Sequence, residues 1–213
     1  MTDITDEELI SQCILFFLAG YDTTASLIST ACYSLATNPE KQDQFAKEIE
    51  NCLTEWDKEN PETNDPYQLA SFENLNHFEY LTGVINETLR LYAPLGFTER
   101  QASNDIRLAT SDDRTYINVK KGDILHIPVY SLHHNKDYFP EPDKFIPERF
   151  IGTQTHPKYA YLPFGLGPRN CIAKSLALLE AKIALFHIFR NYKLSTCENT
   201  TVNLDSNIVE LLK

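Results

Sequence analysis

The sequence predicts a mainly α-helical chain with a small antiparallel β-sheet. Apolar residues recur at helical spacing from Thr5 to about Thr37, Pro39 to about Trp56, about Phe78 to Tyr92, and about Ile172 to Tyr192. Strand-like runs gather in one stretch, "FTERQA", "IRLA", "YINV" and "DILHIPVY", between Phe97 and Tyr130. Prolines punctuate the boundaries: Pro39 opens a helix, Pro94 stops one, and Pro140, Pro142 and Pro147 space a coil from Phe139 to Phe150.

Each element has a local cause. Thr5 followed by Glu8 reads as a capping box for the first helix, which Asn38-Pro39 ends. Leu9, Ile10, Cys13, Ile14, Phe16, Phe17 and Leu18 make this helix apolar nearly all round, so it is expected to be buried through most of its length. The second helix is amphipathic. "DKENPETNDP", Asp57 to Pro66, reads as a polar surface loop. "KKGD" reads as the turn joining "YINV" to "DILHIPVY", and "SLHHNKDYF" as one or two helical turns. The adjacent His133 and His134 diverge and read as loop or surface. The chain past Tyr192 is weakly patterned and closes on "NIVELLK".

Composition narrows the function classes. A length of 213 residues suffices for one sizeable core or two small ones. Nineteen basic against 30 acidic residues leave a formal charge of −11, which argues against nucleic acid as a partner. The longest uninterrupted apolar run, "CILFFLAG", is shorter than the roughly 20 residues a bilayer span needs, so no membrane anchor is expected within this sequence. The five cysteines are odd in number and contain no C-x-x-C, so neither a disulfide framework nor a structural zinc site is expected. Cys13, Cys32, Cys52 and Cys197 read as ordinary buried thiols.

Cys171 reads differently. In "FGLGPRNCIA", Gly165 and Gly167 permit positive φ angles, Pro168 stiffens the turn, and the cysteine falls at the mouth of the last helix. Free N–H groups and the positive dipole end there favour an anionic sulfur. A rigid loop presenting a thiolate suits a soft metal, and Arg169 is placed to hold a carboxylate.

"PFGLGPRNCIA" resembles the haem-binding loop of the cytochromes P-450, the haem-thiolate monooxygenases. Phe164, Gly167, Arg169, Cys171 and Ala173 occupy that family's pattern positions, with alanine where most members carry glycine. Further motifs follow the family's order. "ETLR" supplies Glu87 and Arg90, three residues apart on one helical face, and "PERF" supplies Arg149. The resemblance implies that these three form a buried structural triad beneath the haem. "AGYDTT", Ala19 to Thr24, resembles the oxygen-pocket segment. A threonine at Thr23 can bond back to the Ala19 carbonyl and open the helix locally, while Thr24 reads as packing. The resemblance implies that Asp22 and Thr23 relay protons during oxygen activation, with Phe16, Ala19, Gly20 and Thr23 on one face walling the distal side. "APLGFTER" resembles the segment lining the substrate pocket, which implies substrate contact by Leu95, Gly96 and Phe97 and propionate pairing by Arg100 and Arg169.

The implied fold is the C-terminal, helix-rich part of the cytochrome P-450 domain, spanning residues 1–213. The family's N-terminal half and the end of its C-terminal hairpin are expected to lie outside this sequence. The implied cofactor is haem b, iron protoporphyrin IX, with an axial thiolate. The implied reaction inserts one oxygen atom of O2 into an apolar small molecule. Electrons come from NADPH through cytochrome P-450 reductase, with Lys174 and Lys182 near the partner's docking face. The wording of the motifs is most like animal microsomal drug- and steroid-oxidising members. That implies the cytosolic face of the endoplasmic reticulum membrane for a full-length relative, with membrane contact through segments not in this sequence. A non-catalytic haem-binding or interaction fragment is the alternative. With distal walls missing, the isolated chain is expected to expose an apolar patch and to hold haem weakly.

Overall fold

The computed structural model describes residues 4–61, 72–75, 77–110, 114–153 and 155–200. Helix α1, Asp6–Thr37, starts at the capping box: the Glu8 amide donates to Thr5 Oγ1 at 3.2 Å, and the Thr5 amide to the Glu8 carboxylate at 2.9 Å. Asp6, Glu7 and Glu8 in the first turn complement the helix dipole. The expected burial fails for its N-terminal half, where the exposed apolar patch also expected from the sequence is found instead. Leu9, Ile10, Ile14, Leu15, Phe16, Phe17, Leu18 and Tyr21 are all more than half exposed, and burial begins only at Thr24 and continues through Leu27, Ala31 and Leu35. Periodicity reports which faces a helix needs covered; it does not supply the neighbours.

An 18-residue window of α1 averages a hydropathy of 1.3, enough by length and composition to cross a membrane, although the uninterrupted apolar run is short. Its C-terminal half is nevertheless built into the protein core, so lipid cannot surround the helix along its whole length.

Helix α2, Pro39–Glu59, begins on Pro39 and runs through Asp57, Lys58 and Glu59, which the sequence reading assigned to the loop. Lys58 in its last turn suits the negative end of the dipole. The remainder of that loop from residue 62, and the closing stretch from residue 201, lie outside the described residues. A short helix α3, Phe72–Leu75, precedes α4, Glu79–Leu91. Nine of the 13 residues of α4 are buried, which makes it the central element. No side chain of its own caps it; Glu48 of α2 accepts the Tyr80 and Leu81 amides at 2.6 and 2.9 Å instead. Burial raises the Glu48 carboxyl above its ordinary range, with those amides opposing.

Helix α6, Lys174–Asn191, closes the bundle. Leu27, Leu35, Phe45, Val84, Leu185 and Phe186 belong to one core shared by α1, α2, α4 and α6. Phe45 packs on Phe189, and Phe78 on Phe186, with ring centroids 5.5 and 5.6 Å apart. Gln42, buried in this core, fastens the segment after α6. Its Nε2 donates to the Leu35 and Leu194 carbonyls at 3.1 and 2.9 Å, and its Oε1 accepts the Leu194 amide at 2.7 Å. Gln42→Leu strands three backbone groups at about 1–3 kcal/mol each when they stay dry. A net loss of about 2–4 kcal/mol in unfolding free energy is therefore expected in urea titrations.

The strands are β1 (Thr98–Gln101), β2 (Ile106–Ala109), β3 (Tyr116–Val119) and β4 (Ile124–Ile127). They form two two-stranded antiparallel sheets, β1 with β4 and β2 with β3. The turn "KKGD" joins β3 to β4 as expected, with the Asp123 amide donating to the Lys120 carbonyl at 3.0 Å, although the two strands do not pair with each other. One offset runs through both ladders, from Thr98 opposite Ile127 to Ile106 opposite Val119, so "KKGD" is a kink in the returning arm of one long hairpin. Gly122, at φ 94°, supplies the kink, and its amide donates to Ala102.

Helix α5, Val129–His133, follows. Within the proline-spaced coil only Pro147–Phe150 is regular, as one 3-10 turn. Phe139, Phe150 and Ala160 form a second small core with Tyr138 and Tyr161 packed against it.

Candidate functional site

The tightest polar cluster lies where α4 meets the coil. Glu87 and Arg90 are fully buried and face each other from successive turns: Arg90 Nε and Nη2 donate to the two Glu87 oxygens at 2.7 and 2.9 Å. Full burial removes this pair from the class of weak surface salt bridges. Arg149 Nε, 62 residues away in sequence, donates to Glu87 Oε1 at 3.3 Å, and the Ile146 amide reaches the same oxygen at 3.0 Å. Arg90 Nη1 and Nη2 donate onward to the His133 and Lys144 carbonyls at 2.9 and 3.2 Å, and Arg149 Nη2 to the Glu141 carbonyl at 2.9 Å. The Arg90 guanidinium also lies 5.3 Å from the Phe139 ring centroid. One carboxylate therefore holds two cations and a backbone amide, and the cations hold the coil.

The cysteine loop lies just downstream. The Cys171 amide donates to the Phe164 carbonyl at 2.9 Å and closes a ring of backbone, inside which Gly165 sits at φ 69° and Gly167 at φ 85°. Further bonds run from the Gly165 amide to Leu162 and from the Asn170 amide to Gly167, each 3.1 Å. Phe164 packs its half-buried ring against the main core, with the Lys174 ammonium 5.8 Å away. Cys171 and Arg169 are exposed, as is the adjoining Ile172. Ala173 is the N-cap of α6, and no side chain caps that helix, which leaves its first-turn amides available to a negative group.

Among the described residues no group of three or more His, Cys, Asp or Glu side chains could hold a bare metal ion. Among these residues Cys171 offers a metal one sulfur and no companion cluster of ligands. One exposed sulfur donor, exposed apolar surface on Ile172 and an exposed arginine for a carboxylate fit a macrocyclic metal group of the haem type.

The other positions from the sequence separate. Thr23 Oγ1 donates to the Ala19 carbonyl at 2.7 Å, yet α1 remains a continuous α-helix through Thr24 and is not opened. The bond is made without breaking the ladder because a carbonyl can accept two donors. Asp22, Ala19 and Phe16 are exposed, Gly20 and Thr23 half-buried, and Thr24 buried. No hydrogen bond or ion pair among the described residues joins Asp22 or Thr23 to the cysteine loop. Arg100 Nη1 turns onto its own strand, to Thr98 Oγ1 and the Glu99 carbonyl at 3.1 and 2.6 Å. Leu95 is exposed, the Gly96 carbonyl accepts the Tyr130 amide at 2.9 Å, and Phe97 stacks on His126 at 4.5 Å.

Several readings are corrected. Cys13 and Cys197 are exposed rather than buried, and Cys32 and Cys52 are half-buried. Hydrogen bonding, first from the Thr200 hydroxyl, lowers the Cys197 thiol below its ordinary value. Lys182 is buried on α6 with its Nζ donating to the Leu75 carbonyl at 3.2 Å, so it does not belong to a docking face; Lys174 is exposed. His133 is fully buried, not loop surface, and its Nε2 accepts the Leu162 amide at 2.9 Å. The only hint of that role in the sequence is its position ahead of the proline coil. Gly83 was also missed; a Cβ there would meet the Pro147 carbonyl oxygen at 2.7 Å.

A family model described as cytochrome P450 matches residues 2–211. Among curated relatives, cytochrome P450 9e2 of Blattella germanica is 38% identical over 199 residues, covering 92% of this chain and 35% of the relative. Cytochrome P450 3A31 of Mesocricetus auratus is 41% identical over 202 residues, covering 93% and 37%. Cytochrome P450 9c1 of Drosophila melanogaster is 35% identical over 208 residues, covering 97% and 38%. The chain thus spans between a third and two fifths of the length of these relatives.

Proposed function

Because the chain belongs to the cytochrome P450 family, we propose that it forms the thiolate-bearing part of a haem monooxygenase. Bound haem b supplies oxygen activation, delivering one atom of O2 to an apolar small molecule with the other leaving as water. The chain's residues do the rest. Cys171 would ligate the haem iron through its sulfur, and the uncapped first turn of α6 would favour a negative charge there. Phe164 and Ala173 flank that ligand, and Arg169 and Arg100 neutralise the haem carboxylates. Asp22 and Thr23 would relay protons to oxygen activated on the haem, and Ala19 and Gly20 would leave room for it. Phe16, Leu95, Gly96 and Phe97 contact substrate. Glu87, Arg90 and Arg149 hold the coil and make no bond to the reacting atoms. Electrons arrive from NADPH through a flavoprotein reductase at the cytosolic face of the endoplasmic reticulum membrane, in a full-length protein.

The observation that carries this reading is the closure of the loop by the Cys171 amide on Phe164, which leaves the sulfur exposed on a fixed backbone ring. The test is the ferrous–carbonyl spectrum of the full-length protein. The strongly red-shifted band of a thiolate-ligated haem is expected, and Cys171→Ser should abolish it. A red-shifted band that persists in Cys171→Ser overturns the assignment.

A further inference from the structure

We propose that His133 is the positioning residue that sets where the backbone begins the cysteine loop. The proposal rests on reading that loop as the cofactor's anchor. His133 ends α5 and joins two otherwise separate polar systems. Its carbonyl accepts Arg90 Nη1 at 2.9 Å, on the Glu87 network, and its ring Nε2 accepts the Leu162 amide at 2.9 Å. The Leu162 carbonyl in turn accepts the Gly165 amide, and Phe164 next along accepts Cys171. Leu162, the first residue of the loop, is therefore held at its N–H by the imidazole and at its C=O by the glycine turn.

Tyr161 supplies a second tie to the same helix. Its ring lies 5.2 Å from that of His133, and its hydroxyl donates to the Asn86 carbonyl at 2.9 Å, one residue before Glu87. Residues 161–162 are thus pinned to α4 directly through Tyr161 and indirectly through His133. Downstream of these pins the loop has little burial of its own, since Leu166 to Ile172 are all exposed. An exposed loop that must hold a sulfur at fixed height needs its base held by packed elements.

An imidazole can accept through Nε2 only when neutral with its proton on Nδ1. Burial first, then the nearby Arg90 and His134 charges, bring the His133 pKa down to about 4, against the pull of the Arg90 and Leu89 backbone carbonyls. The acceptor is therefore present at neutral pH.

The test uses the full-length protein with His133→Phe, which fills the space without an acceptor, and His133→Gln, which restores an acceptor at similar reach. Hydrogen exchange read over residues 160–171 should rise roughly tenfold in His133→Phe, the value of one lost hydrogen bond. Exchange in α4 and α6 should stay unchanged, and part of the ferrous–carbonyl band should lose its red shift. His133→Gln should recover both. An unchanged loop, or an equal rise in every helix as a merely structural residue would give, overturns the proposal. Cys171→Ser separates the two readings: it should remove the red-shifted band while leaving loop protection intact. If the unmodified protein lacks that band but its loop still responds to His133→Phe, the haem reading fails and the positioning role of His133 stands.

Discussion

Glu87→Ala is expected to cost about 3–5 kcal/mol of stability, the range for removing one partner from a buried ion network. The magnitude follows from what the carboxylate leaves behind. Arg90 is fully buried and would keep the His133 and Lys144 carbonyls and the Phe139 ring face, but no anion, for its charge among the described residues. Arg149 would lose its ion pair with Glu87, and the Ile146 amide its acceptor. Glu87→Gln preserves the shape but not the charge, so it should recover only part of the loss. Urea titrations of the full-length protein measure the change, and haem retention should fall with it. A loss under about 1 kcal/mol would place the network with exposed ion pairs and contradict its burial.

The second large effect is expected from Gly83→Ala. Alanine normally favours a helix interior over glycine by about 1 kcal/mol. Here the added Cβ meets the Pro147 carbonyl oxygen at 2.7 Å and the Ile151 side chain at 3.2 Å. Ile151 can rotate, but a backbone carbonyl cannot, so the 3-10 turn must move off α4. The Arg149–Glu87 contact, at 3.3 Å already the longest in the network, is the first to go. Overpacking of this kind costs about 1–3 kcal/mol, and the lost contact adds to it. If the clash acts through that contact, Gly83→Ala and Arg149→Ala combined should destabilise by less than the sum of the two. Strict additivity in a double-mutant cycle would show that the glycine matters for another reason.

Much of this site was legible because its determinants are local. The Thr5–Glu8 capping box, Pro39 at a helix start, the i,i+3 spacing of Glu87 and Arg90 and the glycines before Cys171 each follow from backbone geometry within a few residues. The same locality explains the misreadings. Lys182 is expected near a docking face because nothing nearby in sequence reveals its bond to the Leu75 carbonyl, 107 residues away. "KKGD" reads as a turn from its own residues, but which strands pair on either side of it is decided only when β1 meets β4 and β2 meets β3.

The sequence alone determined the starts of α1 and α2, the positive-φ glycines ahead of Cys171 and the family, because each rests on spacing or on residue type. Tertiary structure alone decided which apolar surface is covered. It left the first half of α1 bare, since burial depends on which elements arrive to pack, and periodicity cannot say whether they do. It likewise decided that His133 is buried and that Gly83 has no room for a methyl, because both facts arise from segments that meet only on folding.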